Sequence, residues 1–254
     1  VTAPDAFSRR QFLVGAGAAL GGLVLPGCSK SSLPPTYGNL LRMGDNLTYL
    51  AQRALLPGQS LAREYSPGDI SSFPATGSVT PGEPGRRGYS EAYRDLQRRG
   101  FGDWRLTVEG AVDRPGTYSI DDLKRFPSRT QITRHTCEEG WTAIAEWTGV
   151  PLSRVLIAAG MRPSACCVCF QTYDSPVIDS VDMLDALHPQ TLLAYGMNGR
   201  DLLIRHGAPL RLRVEKQIGY KSRKYLQRII VKDVFDDGGK NGNAAKGWAW
   251  YAGI

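Results

Sequence analysis

The sequence predicts an α+β domain in which mixed β-sheets are surrounded by helices. Three observations carry that expectation. Apolar and polar residues alternate with period two at Trp104-Leu106-Val108 and again at Leu210-Leu212-Val214, the signature of half-buried strands. Helical spacing occurs only in short, separated stretches. Strands and helices follow one another without a regular βαβ alternation, and no internal repeat is present.

The elements follow in order along the chain. Leu40, Met43, Leu47, Leu50 and Ala54 recur at helical spacing over Gly38–Leu56, and Pro57-Gly58 ends that helix. Residues 66–87 read as loop, with Pro67, Pro74, Pro81 and Pro84 among several glycines. Tyr89, Tyr93 and Leu96 predict a short helix before Gly100, and a strand follows over 104–109. Ser119 with Asp122 three residues on reads as a capped helix start carrying Leu123 and Phe126. Gln131–Cys137 is expected to be extended. Pro151 opens a helix with Leu152, Val155, Leu156 and Ala159 on one face, and Gly160 stops it. Cys166–Tyr173 reads as a buried strand, Asp182 as the cap of a helix through Leu187, and Leu226–Phe235 as a further strand.

Bulk properties narrow the function. The chain has 254 residues, 42% hydrophobic and 22% charged, enough for a real core. The net charge of +7 suits an acidic or phosphorylated ligand. The basic residues are spread along the chain, and no nucleic-acid-binding signature accompanies them, so nucleic acid is not an expected partner. The five cysteines, Cys28, Cys137, Cys166, Cys167 and Cys169, are odd in number and three are clustered, which is not a disulfide framework. No C-x-x-C or C-x-x-C-H is present, which argues against a zinc ribbon and against covalent haem.

The first 28 residues read as an address. Ser8-Arg9-Arg10-Gln11-Phe12-Leu13 has the twin-arginine form, and the apolar stretch from Phe12 to Leu25 covers 14 residues, short for a membrane span. Leu25-Pro26-Gly27-Cys28 is similar to a lipobox, making Cys28 a possible lipid anchor. The expected location is therefore periplasmic, or membrane-anchored on the outer face of the inner membrane. Residues 29–99 form a tether and N-terminal extension, and residues 100–254 the main domain.

The most informative segment is Thr133-Arg134-His135-Thr136-Cys137-Glu138-Glu139-Gly140-Trp141. A cysteine here follows an extended run, beside a His and an Arg, and precedes a turn. Positive neighbours are expected to favour its thiolate, which is both nucleophile and soft-metal ligand. The residues alone leave a buried structural cysteine equally open. Arg211 alone reads as a solvated strand face, Lys221, Arg223 and Lys224 as a surface loop, and Thr172 as an ordinary strand residue. Cys167 and Cys169 share a strand face and read as small buried hydrophobes.

The run Arg129–Trp141, continuing to Trp147-Thr-Gly-Val-Pro-Leu152, resembles the cysteine segment of the sulfite oxidase superfamily. It is closest to the haem-free bacterial branch that includes periplasmic methionine-sulfoxide reductase catalytic subunits. His206-Gly-Ala-Pro-Leu-Arg211-Leu, Gly219-Tyr-Lys-Ser222-Arg223-Lys224 and the tail Trp250–Ile254 match it too. The resemblance covers about residues 100–254. It implies a sulfite-oxidase-type molybdopterin-binding fold, a molybdenum–pterin cofactor with no haem, and oxygen-atom transfer on a small substrate such as a sulfoxide or sulfite-like compound.

By position, the resemblance makes Cys137 the metal ligand and catalytic centre. Thr172, His206, Arg211, Ser222, Arg223 and Lys224 become cofactor contacts. The electron partner it implies is a membrane haem protein or a soluble cytochrome. No N-terminal contact is carried over, because Phe73-Pro-Ala-Thr76-Gly77-Ser78 departs from the family's Asn-Gly loop. Two other classes compete: a cysteine-dependent cell-wall hydrolase or transpeptidase using His206 or His135 as base, and a non-enzymatic exported lipoprotein acting as a binding module.

Overall fold

The computed structural model describes residues 40–56, 58, 60–72, 80–238, 242 and 247–254. The export signal, Cys28, the tether and the 73–78 segment lie outside the described residues. The elements are α1 (Leu40–Leu55), α2 (Glu91–Arg98), β1 (Leu106–Gly110), β2 (Gly116–Tyr118), α3 (Ile120–Lys124), β3 (Arg129–Thr136), β4 (Thr142–Pro151), α4 (Leu152–Ala158), β5 (Cys167–Thr172), β6 (Asp179–Asp182), α5 (Met183–Ala186), β7 (Leu192–Met197), β8 (Arg200–Asp201), β9 (Arg211–Arg213) and β10 (Leu226–Lys232). Single 3-10 turns occupy Pro67–Asp69, Ile204–His206 and Gly219–Lys221.

Two five-stranded sheets organise the domain. The first runs β2-β1-β10-β5-β6, with β1 and β10 parallel and the other pairs antiparallel. The second runs β3-β4-β7-β8, with β9 also on β7, and is antiparallel throughout. Leu106, Val108, Val168, Phe170, Ile229 and Val231 of the first sheet share a core with Val150, Leu193 and Leu212 of the second. Helix α4 adds Leu152, Val155 and Leu156 to it, as its spacing predicts. Each apolar side chain so enclosed contributes about 1.5–3 kcal/mol.

Local signals account for several boundaries. The Ser119 hydroxyl accepts from the Asp122 amide, and the Asp122 carboxylate accepts in return from Ser119 N, so two orphan donors are met at the start of α3. Asp182 caps α5 by accepting from the Asp185 amide at 2.9 Å. The strand predicted over Leu226–Phe235 stops at Lys232. Strands β4 and β7 carry no strict alternation, because Val150 and Pro151, and Leu192 to Ala194, are buried on consecutive positions; period-two reading misses such strands.

Helix α1 is inverted. Its spaced apolar residues face outward: Leu47 is 66% and Leu55 79% exposed, with Leu50 at 39%. The inward face is polar and aromatic, built from Tyr49, Gln52 and Arg53. Tyr49 and Arg53 bond Asp182 Oδ2 at 2.9 and 2.8 Å, and Arg53 reaches Asp185 at 3.0 Å. Gln52 donates to the Gly253 carbonyl and accepts from the Tyr251 hydroxyl, tying the helix to the C-terminal tail. The tail in turn bonds Lys216–Ile218 through Ile218 N to Ala252 O and Ile254 N to Lys216 O.

Candidate molybdopterin site

Strand β3 delivers Cys137 to the loop of a hairpin. Thr136 and Thr142 are the last pair of the β3–β4 ladder, and Cys137–Trp141 close it. Cys137 N bonds Trp141 O at 2.9 Å and Gly140 N bonds Cys137 O at 3.1 Å, with Gly140 at φ +88°. The sulfur is partly exposed at this turn, not sealed in the core. It meets Glu138 Oε2 and the Glu139 amide, each at 3.5 Å.

Burial and these two acids push the thiol up to about 11, against the one favourable contact from Glu139 N. The expectation that positive neighbours favour the thiolate is therefore corrected. The side chains nearest in sequence are acidic and outweigh Arg134 and His135. Deprotonating this sulfur at neutral pH requires a cation bound to it.

Basic groups do gather on the same sheet face. Strand register puts Gln131, Thr133 and His135 of β3, Ala145 and Trp147 of β4, and Arg211 and Arg213 of β9 on one side of the second sheet. The guanidiniums of Arg211 and Arg213 lie 4.8 and 4.5 Å from the Trp147 ring centre. Arg213 is neutralised: it pairs with both oxygens of Glu215 at 3.1 and 2.7 Å, and Gln131 also donates to that carboxylate.

Arg211 is not neutralised. Although only 4% exposed, it donates to two carbonyls, His206 O at 3.1 Å and Ser222 O at 3.0 Å, and its Nε has no partner. Burial and the charge of Arg213 lower its pKa to about 9, so it stays protonated at neutral pH.

The 222–224 segment runs alongside β9. Leu212 N bonds Arg223 O at 2.7 Å, and Val214 N bonds the Ser222 hydroxyl at 3.1 Å. Arg223 donates to Thr172 Oγ1 at 3.4 Å, which joins β5 to the group. Lys224 donates to Arg205 O at 2.9 Å. Gly207, at φ +106°, lets the chain pass Lys224, since a Cβ there sits 2.9 Å from Lys224 Cβ. Burial and Arg211 lower the Lys224 ammonium to about 8, despite attraction from Asp174 and Cys137. Burial, Arg211 and Lys224 lower His206 to about 4.

His135 accepts from Arg213 through Nδ1 at 2.6 Å, which leaves its proton on Nε2. Burial and the charges of Arg213, Arg211 and Lys224 hold it neutral, down to about 2. Nε2 lies where a side chain at position 219 would be, 2.6 Å from a Cβ built on Gly219. Among the hydrogen bonds of the described residues none joins Cys137 to a histidine, so no Cys–His nucleophilic pair is assembled.

The residues singled out by sequence thus converge in part. Thr172, Arg223, Ser222 and Arg211 form one chain of contacts, and His206 and Lys224 share its field with Cys137. Arg213, Trp147, Gln131 and Glu215 were not anticipated. For Arg213 a signal existed: it stands two residues from Arg211 on a strand and must share its face.

The donor set fits a molybdenum–pterin group. Buried Arg211 Nε, Trp147 Nε1 and Thr133 Oγ1 lie on this face without partners, which leaves them free to bond the acceptors of a bound group. Cationic Arg211 and Lys224 match an anionic phosphate. Among the described residues no cluster of three or more His, Cys, Asp or Glu can hold a metal ion. Cys167 and Cys169 are fully buried and donate to the Val234 and Asp236 carbonyls, in keeping with a packing role.

The same group emerges from comparison with known proteins. The chain is 32% identical, over 97% of its length and 88% of the relative's, to a putative protein-methionine-sulfoxide reductase subunit of Azospira oryzae. It is 32% identical to the protein-methionine-sulfoxide reductase catalytic subunit of Campylobacter jejuni over 50% of this chain and 48% of that one. The corresponding catalytic subunit of Xanthomonas axonopodis is 38% identical over 50% of this chain and 44% of its own length. The chain spans about half the length of those catalytic subunits. The sulfane dehydrogenase SoxCD from Paracoccus pantotrophus aligns with a TM-score of 0.49 and 28% identity, over 52% of this chain and 38% of that one. Residues 95–238 match the oxidoreductase molybdopterin binding domain. This chain is an oxidoreductase that belongs to the molybdopterin-binding family, within the sulfite oxidase superfamily.

Proposed function

We propose that the chain reduces sulfoxides, of which a methionine sulfoxide is the favoured case, with Cys137 as the metal ligand. The observation that carries the reading is a buried arginine, Arg211, with no acid of its own, whose neighbour Lys224 is also attracted by the half-buried Cys137. The relatives' names supply the substrate class. When bound, the molybdenum–pterin group supplies a two-electron centre able to accept an oxygen atom from a sulfoxide. The net reaction consumes two electrons and two protons and yields a sulfide and water.

The chain's own residues position and balance charge. Cys137, held by the hairpin turn and the Glu139 amide, would lose its proton on binding the metal. Arg211, Lys224, Ser222, Arg223 and Thr172 would hold the cofactor, the cations balancing its anionic charge and the others offering hydrogen bonds. His206 and His135, kept neutral by burial and by the surrounding cations, add no further positive charge there. Electrons enter from a membrane haem protein or a soluble cytochrome. The protein is exported by the twin-arginine route to the periplasmic face, with Cys28 as a lipid anchor.

The test is turnover by the cofactor-loaded chain with methionine sulfoxide and a reduced dye as electron donor. We expect oxidation of the dye in step with sulfide formation. Cys137→Ser is expected to drop this to background and to change the metal's spectrum. A serine variant with full activity would contradict the ligand role.

A further inference from the structure

We infer that the outward face of α1 docks the protein on a lipid bilayer. The inference rests on the export and anchor reading of residues 1–28. Along α1 the exposed residues are Gly44, Leu47, Thr48, Leu50, Ala51, Ala54 and Leu55; helical geometry gathers the apolar ones on one side, with Thr48 at the border of the stripe. The stripe is unusual because the helix spends its polar residues inward, on Asp182, Asp185 and the C-terminal tail. Leu56 and Leu61, 41% and 58% exposed, extend it past the helix end. Leu184 adds to it, its Cδ2 reaching to within 3.6 Å of a Cβ built on Gly58.

A soluble surface helix has its apolar face inward, so an outward apolar stripe identifies a contact surface. The occupant follows from where the chain comes from. Eleven residues, 29–39, separate Cys28 from α1, a span of at most about 40 Å when extended. An anchor at Cys28 therefore keeps this stripe beside the bilayer at high effective concentration, where shallow insertion of a few leucines suffices.

The experiment places a photo-crosslinking amino acid at Leu55, or at Leu47, in the full chain in native membranes. The same group at Ile157, an exposed position on α4, is the control. Adducts are identified by mass, and the N-terminal peptide is weighed separately for lipid at Cys28. We expect lipid adducts at positions 47 and 55 in roughly tenfold excess over 157. Adducts at 55 with another protein, with a second copy or with residues 12–25 of the same chain would overturn the inference, and so would the absence of any adduct. Lipid adducts with an unmodified Cys28 would uphold docking while removing the anchor. A lipidated Cys28 with only protein adducts at 55 would do the reverse. As a second measurement, Leu47→Gln, Leu50→Gln and Leu55→Gln together in a Cys28→Ser chain are expected to cut flotation with phosphatidylglycerol vesicles by roughly tenfold; unchanged flotation would also count against docking.

Discussion

The protein buries positive charge in two places and treats it in opposite ways. Under α1, Arg53 faces Asp182 and Asp185, and nearby Lys221 pairs with Asp179 at 2.7 Å. Each buried cation there has its own acid, and Tyr49, Tyr251 and Trp250 pack around them. On the face of the second sheet, Arg213 takes Glu215, and Arg211 is left with two carbonyls and no carboxylate bonded to it. A balanced cluster supports the fold. An unbalanced one, costly to bury, suits a ligand that brings the missing negative charge.

The comparison breaks most clearly at Arg53. Arg53→Met leaves two buried carboxylates without their cation, and unfolding measurements should show a loss of about 3–5 kcal/mol. Arg211→Met strands no acid. The cofactor-free chain should stay within about 1 kcal/mol of the parent, since the two lost carbonyl contacts are offset by removal of a buried charge that has no acid bonded to it, while pterin retention after purification should collapse. Equal destabilisation by both variants would erase the distinction.

The pH dependence sharpens it. Burial and Arg211 hold Lys224 down to about 8, below an ordinary lysine near 10.4. Between those values the unfolded chain holds the extra proton. The cofactor-free fold therefore gains stability from this group as pH rises through that window, and carries the full cost of the buried charge below about 8. A bound anion favours the protonated lysine, so cofactor retention should weaken over the same rise. Thermal melts of loaded and cofactor-free protein between pH 7 and 10 should diverge in direction; parallel curves would argue against an anion at Lys224. The smallest effect is expected for Thr172→Val, which removes one long contact to Arg223 and should cost the fold less than about 1 kcal/mol while slowing cofactor binding measurably.

Most of the fold that positions the site was legible. Alternation at 210–214 marked β9, Ser119 and Asp182 marked two helix starts, and Pro151 with Gly160 bracketed α4. Strands β4 and β7 were silent because consecutive buried residues break the period of two. The stripe on α1 was visible as a period but not as a direction: spacing shows that apolar residues share a face, and only tertiary pairing of Arg53 with Asp182 and Asp185 turns that face outward. At the site, resemblance singled out Cys137 and Arg211 as candidates, whereas the acidic surroundings of the sulfur depend on how the hairpin turn folds Glu138 and Glu139 back on it.

The central claim is that one sulfur and one unpaired arginine exist to hold a molybdenum–pterin group. Metal and pterin analysis of the folded full chain tests this most directly. The account predicts close to one molybdenum and one pterin per chain, with both lost together in Cys137→Ser or Arg211→Met protein. A correctly folded chain that carries neither, yet retains sulfoxide reductase activity, would contradict it.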